Sequence, residues 1–206
     1  MADPFFQIER LAGIRLLRLR SDDGTNRLTR ACVLGLIEAV RELVRKAEPL
    51  IIAGNQRFFS AGADLVEIAA LTGPAAYEFS GMGQTLMNEI ERFPARVYAA
   101  ISGYCMGGGL DLALACHRRI ASPHAIFGHR GAALGLITGW GGTQRLPRLV
   151  GKAKALEMFV AAEKIHAQGA LRCGLVEAVA EDPVAEAIKR ILVLMEIRHP
   201  DTEVQR

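Results

Sequence analysis

Gly103-Tyr104-Cys105-Met106-Gly107-Gly108-Gly109-Leu110-Asp111 is the stretch on which the fold turns, and Phe59-Ser60-Ala61-Gly62-Ala63-Asp64-Leu65 is its earlier counterpart. Each follows an apolar run and opens an apolar-periodic helix. Residues this small let the main chain approach a ligand closely, and a helix N-terminus presents unpaired N–H groups with a partial positive charge. Two such turns can hold one oxyanion between them. A carbonyl oxygen gripped by two main-chain donors is the arrangement that stabilises enolates and tetrahedral adducts, and it needs no functional side chain.

Outward from these turns, the pattern alternates strands and helices. Leu50-Ile51-Ile52-Ala53, bounded by Pro49 and Gly54, and Val97-Tyr98-Ala99-Ala100-Ile101 read as buried strands that deliver the chain to the first and second turn. Phe5 to Arg20 alternates around Ala12-Gly13 and predicts a β-hairpin. Val33, Leu36, Ile37, Val40, Leu43 and Val44 mark an amphipathic helix over 30–46. A helix over 64–71 follows; Gly73-Pro74 is expected to break the pattern before a second long helix carrying Phe79, Met82, Leu86, Ile90 and Phe93, ended by Pro94. Downstream come a helix over 110–116, strands over 119–121 and 125–127, and a glycine-rich loop, Gly139-Trp140-Gly141-Gly142. Helices over 154–162, 167–172 and 184–197 make an α-rich end, with Gly174 as a C-cap and a short extended piece at 175–179.

The 206 residues suffice for one well-buried domain, and with 50% hydrophobic residues the chain has more apolar surface than a small monomer needs, which implies subunit contacts. A formal charge of +3, without any tract of consecutive Lys or Arg, argues against a nucleic-acid partner. Cys32, Cys105, Cys116 and Cys173 form no C-x-x-C pair and read as free thiols of a reducing compartment, and no zinc-like spacing is present, so no metal site is expected. No secretory signal or membrane-length apolar run is visible, so the expectation is a soluble, cytoplasmic protein without a membrane partner.

The same blocks resemble the crotonase, or enoyl-CoA hydratase/isomerase, superfamily. The marks are Ser60-Ala61-Gly62-Ala63-Asp64-Leu65, Gly103 to Gly109, Phe127-Gly128, Gly141-Gly142-Thr143-Gln144-Arg145-Leu146-Pro147-Arg148, and Ala170 with Gly174-Leu175-Val176, in that order. The resemblance implies an α/β fold, a crotonase-like spiral of ββα units over 1–150 followed by a short C-terminal helical region over 151–206, shorter than that of most relatives. It also implies homotrimers or dimers of trimers, and an acyl-CoA thioester as substrate, with CoA entering as part of that substrate and no permanently bound cofactor.

Carried over by position, the oxyanion donors fall on the N–H groups of Ala63 and Gly108, and Phe59, Ser60, Ala61, Gly62 and Asp64 lie along the CoA-binding segment. Family hydratases use two carboxylates. The first position holds Asp111, one methylene shorter than the usual Glu; it reads equally as a general base and as an acid complementing the dipole of its helix. The second position is Gly131, which is also where the isomerases place a proton-shuttling Glu, and the carboxylate of dienoyl-CoA isomerases corresponds to Gly139. Those acids are missing. If the stretch is extended, His129 shares a face with Gly131 and places an imidazole in the vacated region, against the plainer reading of a surface or hydrogen-bonding residue in a loop. Trp140 is open between an acyl-pocket wall and a core contact, Asp64 is expected to cap its helix, Cys105 to be a packed thiol, and Lys152 and Lys154 to lie on a solvated face unless one meets a CoA phosphate.

The leading expectation is an enoyl-CoA hydratase-like lyase with catalytic groups Ala63, Gly108, Asp111 and His129. Two alternatives rest on Gly131: decarboxylation or other enolate chemistry that needs no second carboxylate, and a paralogue that binds acyl-CoA without turning it over.

Overall fold

The computed structural model describes residues 3–198. Strands β1 (Phe6–Leu11) and β2 (Ile14–Leu19) form the expected hairpin. A short β3 (Arg27–Leu28) leads to helix α1 (Arg30–Val44), which Thr29 caps by accepting the Cys32 N–H at 3.2 Å. Three rounds of one pattern follow. Strand β4 (Leu50–Ala53) is succeeded by β5 (Phe58–Ser60), the two-residue β6 (Gly62–Ala63), and helices α2 (Leu65–Ala69) and α3 (Gly73–Glu91). Strand β7 (Val97–Ile101) is succeeded by β8 (Tyr104–Met106) and α4 (Gly108–Ala115), and β9 (Arg118–Ala121) by β10 (Ile126–Gly128), a 3-10 turn (Gly131–Leu134) and α5 (Gly142–Val150). Helix α6 (Lys152–Val160), β11 (Lys164–His166), α7 (Ala167–Arg172), β12 (Ala178–Val179) and α8 (Pro183–Arg198) complete the described chain.

Each round lays its first strand in one sheet and its second in another, which is the ββα spiral expected from the sequence. Among the described residues, the larger sheet runs β1-β2-β4-β7-β9-β12 and the smaller β11-β10-β8-β5, while β3 pairs with β6. Apart from the antiparallel β1-β2 and β10-β11 pairs, the ladders are parallel. A parallel sheet needs cover on both faces, and the all-apolar strands supply it by alternation. Leu16, Ile51 and Tyr98, aligned across β2, β4 and β7, face Ala187 and Ile191 of α8. Their neighbours Leu17, Leu50, Ile52 and Ala99 face a core shared with Val33, Leu36 and Val40 of α1 and Leu86, Met87 and Ile90 of α3. Each fully buried Leu or Ile in these layers contributes about 1.5–3 kcal/mol. A buried cation ties in the C-terminal part: Arg119 donates to the carbonyls of Leu175 at 2.8 Å and Cys116 at 2.7 Å, so its charge is solvated by main chain.

Gly73-Pro74 separates α2 from α3 as expected, and does so by opening α3: a proline in the first turn gives up an N–H that has no intrahelical partner anyway. One expectation is corrected. The loop at Gly139–Gly142 is followed directly by α5, a helix hidden in the sequence by Pro147 in its interior. Of the smaller sheet only β10 was legible, as the strand expected over 125–127; β5, β8 and β11 were not, since each has three residues, too few to show an alternation. Their registers are what position the site. Phe58 pairs with Tyr104, Cys105 with Phe127 and Met106 with Gly128, so β5, β8 and β10 end together. Residues 61–63, 107–108 and 129 are thereby delivered to one edge of the sheet, at the carboxyl ends of its parallel strands, where α/β sheets open their crevices.

Candidate active site

A cavity of about 760 Å³ opens at that edge. Ala61 and Ala63 from the first turn, Gly107 and Gly108 from the second, Asp111, and residues 129–134 and 136–140 border it, and Ile68, Leu71, Phe79, Phe159 and Val160 make the rest of its wall largely apolar. The two turns meet closely. A Cβ built on Gly108 would stand 3.2 Å from the Ala63 nitrogen, and one built on Gly62 would stand 3.0 Å from the Gly108 nitrogen and 2.6 Å from the Met106 oxygen. Gly108 is the first residue of α4, so its N–H has no partner inside the helix. The preceding Gly107 adopts φ 51° and ψ −121°, a conformation that a side chain would strain.

Trp140 closes the space behind Gly108. Its ring lies where a Gly108 Cβ would be, 2.5 Å from Cζ3, and where a Gly83 Cβ would be, 2.1 Å from Nε1. The indole N–H donates to the Phe79 carbonyl at 3.2 Å, and the Phe79 and Trp140 rings sit 5.3 Å apart. Both readings of Trp140 hold together: it is buried and it lines the cavity.

Asp111 is 1% exposed and His129 3% exposed, so His129 is not a surface residue, while Asp111 does stand in the first turn of α4, as an acid complementing the helix dipole would. His129 Nε2 lies 3.4 Å from Asp111 Oδ1, and neither atom has a partner of full hydrogen-bond geometry. Burial pushes the Asp111 carboxyl up to about 7; the Thr138 hydroxyl, the Arg145 charge and, least, the Gly142 amide act the other way. Burial alone pushes the His129 imidazole down to about 4, so it is neutral at physiological pH. A carboxylate and an imidazolium at this distance would attract, but burial favours the neutral form of each. The His129 ring is set by Phe159, with centroids 4.9 Å apart.

The remaining sequence candidates divide. Ala61 borders the cavity, but Phe59 and Ser60 are fully enclosed, and Ser60 is committed to bonds with the Asn26 carbonyl at 2.7 Å and the Gly62 N–H at 3.1 Å. Gly62 is buried with φ 96°, and Asp64 caps α2 by accepting the N–H groups of Val66 at 2.8 Å and Glu67 at 3.2 Å. Cys105 is a packed thiol whose burial holds its pKa well above the ordinary value, and Lys154 is paired with Glu157 and Glu163. Gly131 begins the 3-10 turn, and a Cβ there would stand 2.7 Å from the Leu136 carbonyl oxygen, so the loop as folded has no room for a side chain at this position. At Gly139 a Cβ would meet Ser80 Oγ at 2.9 Å.

Sequence reading missed Thr138, and it marked Gly142 and Arg145 without giving either a place at the site. Thr138 donates its hydroxyl to Asp111 Oδ2, and a Cβ on Gly142 would stand 2.1 Å from Asp111 Oδ1. Arg145 bonds Asn88 and Glu91 of α3 and the Trp140 carbonyl, pinning the loop to the helix. Thr138 sits in a stretch without periodicity, so nothing in its neighbourhood marks it.

A family model described as enoyl-CoA hydratase/isomerase matches residues 9–200. A protein of Bacillus subtilis (strain 168) described as a probable enoyl-CoA hydratase is 49% identical over 146 residues, covering 70% of this chain and 56% of that protein. The fatty acid oxidation complex subunit alpha of Shewanella halifaxensis (strain HAW-EB4) is 44% identical over 142 residues, covering 68% of this chain and 20% of the subunit. The chain thus spans just over half of the first of these relatives and a fifth of the second. The crystal structure of an enoyl-CoA hydratase from Bacillus anthracis superposes with a TM-score of 0.88 at 32% identity, over 93% of this chain and 77% of that one.

Proposed function

This chain belongs to the enoyl-CoA hydratase/isomerase family, and from that premise we propose that it is an enoyl-CoA hydratase-like lyase acting on acyl-CoA thioesters. The Ala63 and Gly108 N–H groups hold the thioester oxygen, and the enolate charge that grows there in the transition state is stabilised by several kcal/mol. Asp111, as the carboxylate, takes a proton from water while the oxygen of that water bonds to the β-carbon and the double-bond electrons move to the thioester oxygen. The enolate then collapses and Asp111 returns the same proton to the α-carbon. One carboxylate therefore serves both halves of the addition, and atoms balance without the acid missing at Gly131. His129, neutral and against Oδ1, accepts a share of the proton while Asp111 holds it.

The observation that carries this reading is the burial of Asp111 on the cavity wall beside Gly108, with an ionisation midpoint near 7 that suits a group which must both accept and release a proton. CoA enters as part of the substrate past Ala61 and Ala63, the residues of this segment that border the cavity; no permanent cofactor is required by these steps, and the working assembly is a homotrimer or dimer of trimers in the cytoplasm. The test is hydration of crotonyl-CoA by the purified protein, followed by mass spectrometry. Asp111→Asn is expected to lose about 10²–10⁴-fold in kcat, and unchanged turnover by this variant would overturn the reading.

A second reading has its own observation. Arg130 is exposed on the cavity wall and forms no ion pair among the described residues, so it offers a partner to a carboxylate on the acyl group. Decarboxylation of a malonyl-type thioester would use the same two amides without Asp111. Release of CO2 from methylmalonyl-CoA, undiminished in Asp111→Asn, would establish it; acyl-CoA binding with neither reaction would leave a binding-only paralogue.

A further inference from the structure

Asp111 sits on α4 with its two oxygens in different surroundings. Oδ2 accepts the hydroxyl of Thr138, whereas Oδ1 faces His129 Nε2 at 3.4 Å and lies where a Gly142 side chain would be. The terminal torsion of an aspartate is soft and nearly two-fold, so a carboxyl group among apolar neighbours has no preferred face of its own. A charge-assisted bond from a hydroxyl supplies one. Thr138 suits the task because β-branching restricts χ1, and its methyl carbon is itself packed, lying 3.0 Å from the place a Gly142 Cβ would occupy.

We propose that Thr138 is a positioning residue: its hydroxyl pins Oδ2 of Asp111 and thereby presents Oδ1 to His129 and to the reacting carbons. The assignment rests on Asp111 as the proton-transfer group. The charged and titratable groups around that carboxyl are His129 from the end of β10, Arg145 from α5 and Cys105 from β8. Of the influences that favour the ionised form, the Thr138 hydroxyl is the largest. Removing it therefore also moves the titration of Asp111, which a packing role would leave alone.

The experiment compares wild type, Thr138→Val, Thr138→Ala and Thr138→Ser. The Asp111 carboxyl is titrated in ligand-free protein by carbon-13 NMR, its signal identified by its loss in Asp111→Asn, and crotonyl-CoA hydration is measured against pH. Valine and alanine are expected to raise the proton affinity of Asp111 about tenfold or more and to move the rising limb of kcat upward with it, with KM little changed. Serine is expected to restore both. An unmoved titration in valine and alanine, or a serine variant that behaves like valine, overturns the proposal. Because the titration needs no turnover, a wild type that hydrates no enoyl thioester would refute the hydratase reading while the role of Thr138 is still decided.

Discussion

The wall made by residues 61–63 and 107–108 and the wall made by Asp111, His129 and Thr138 border the same cavity but are built by opposite means. The first offers main-chain N–H groups and nothing larger than a methyl, held by the registers of β3-β6 and β5-β8; a Cβ on Gly62 or Gly108 would collide with its neighbours, and Gly107 has open space but φ 51°. The second is made of side chains carried by a helix, a strand end and a loop, each buried and each dependent on its neighbours. A main-chain site fails when atoms are added; a side-chain site fails when atoms are exchanged or displaced. That difference orders the expected effects of mutation.

The largest is expected for Gly108→Val. Its Cβ would overlap Trp140 and approach the Ala63 nitrogen, so it disturbs both donors, and a loss of about 10²–10³-fold in kcat or more is expected. Trp140 is the single tryptophan of the chain, so its fluorescence reports the displacement directly. Retention of activity would break the comparison outright. Next is Gly142→Ala, whose methyl would stand 2.1 Å from Asp111 Oδ1 and 3.0 Å from His129 Nε2. Pushing the acid aside is expected to cost about 10²-fold in kcat, and a melting curve separates this from unfolding.

Smaller, and readable without substrate, is the dependence of stability on pH. The folded midpoint of Asp111, about 7, lies above its ordinary 3.8, so the folded chain keeps a proton that the unfolded chain has lost, and the contribution to stability falls as pH rises from about 4 to about 7. For His129 the folded midpoint, about 4, lies below its ordinary 6.5, so the contribution rises as pH rises from about 4 to about 6.5. In wild type the two slopes oppose. Relative to it, Asp111→Asn is expected to gain denaturant resistance as pH rises from about 4 to about 6.5, and His129→Gln to lose it; parallel curves for all three proteins would mean that burial shifts neither group. The smallest effect belongs to Ala63→Ser. The donor is the main-chain N–H, so less than about a tenfold change in kcat is expected, and a larger one would mean that the side chain of this turn matters after all.

The long elements were legible because their signals are local. Val33, Leu36, Ile37 and Val40 fall on one stripe of α1, and Leu50 to Ala53 are apolar at every position, as a strand covered on both faces must be. The glycine turns were legible for the same reason, since small residues after an apolar run have few other uses. Helix α5 was not, because Pro147 argues locally against a helix that Gly141 and the packing of Leu146 nevertheless support. The site was legible in halves. Asp111 and His129 were visible as candidates, but their surroundings were not: sequence spacing cannot say that a loop residue is 3% exposed, or that Thr138 and Gly142, four residues apart, both reach the carboxyl of residue 111.

What the amino-acid sequence determined by itself is the succession of apolar strands, glycine turns and amphipathic helices, because hydrophobic periodicity and missing side chains act within a few residues; the ββα spiral was implied only by the resemblance of the glycine blocks to a family. Tertiary structure alone decided the acidity of the pair: the strands of the smaller sheet end in register, bring His129 to Asp111 and remove both from water. Solvation depends on every element packed around a group, and no stretch of chain carries that information alone.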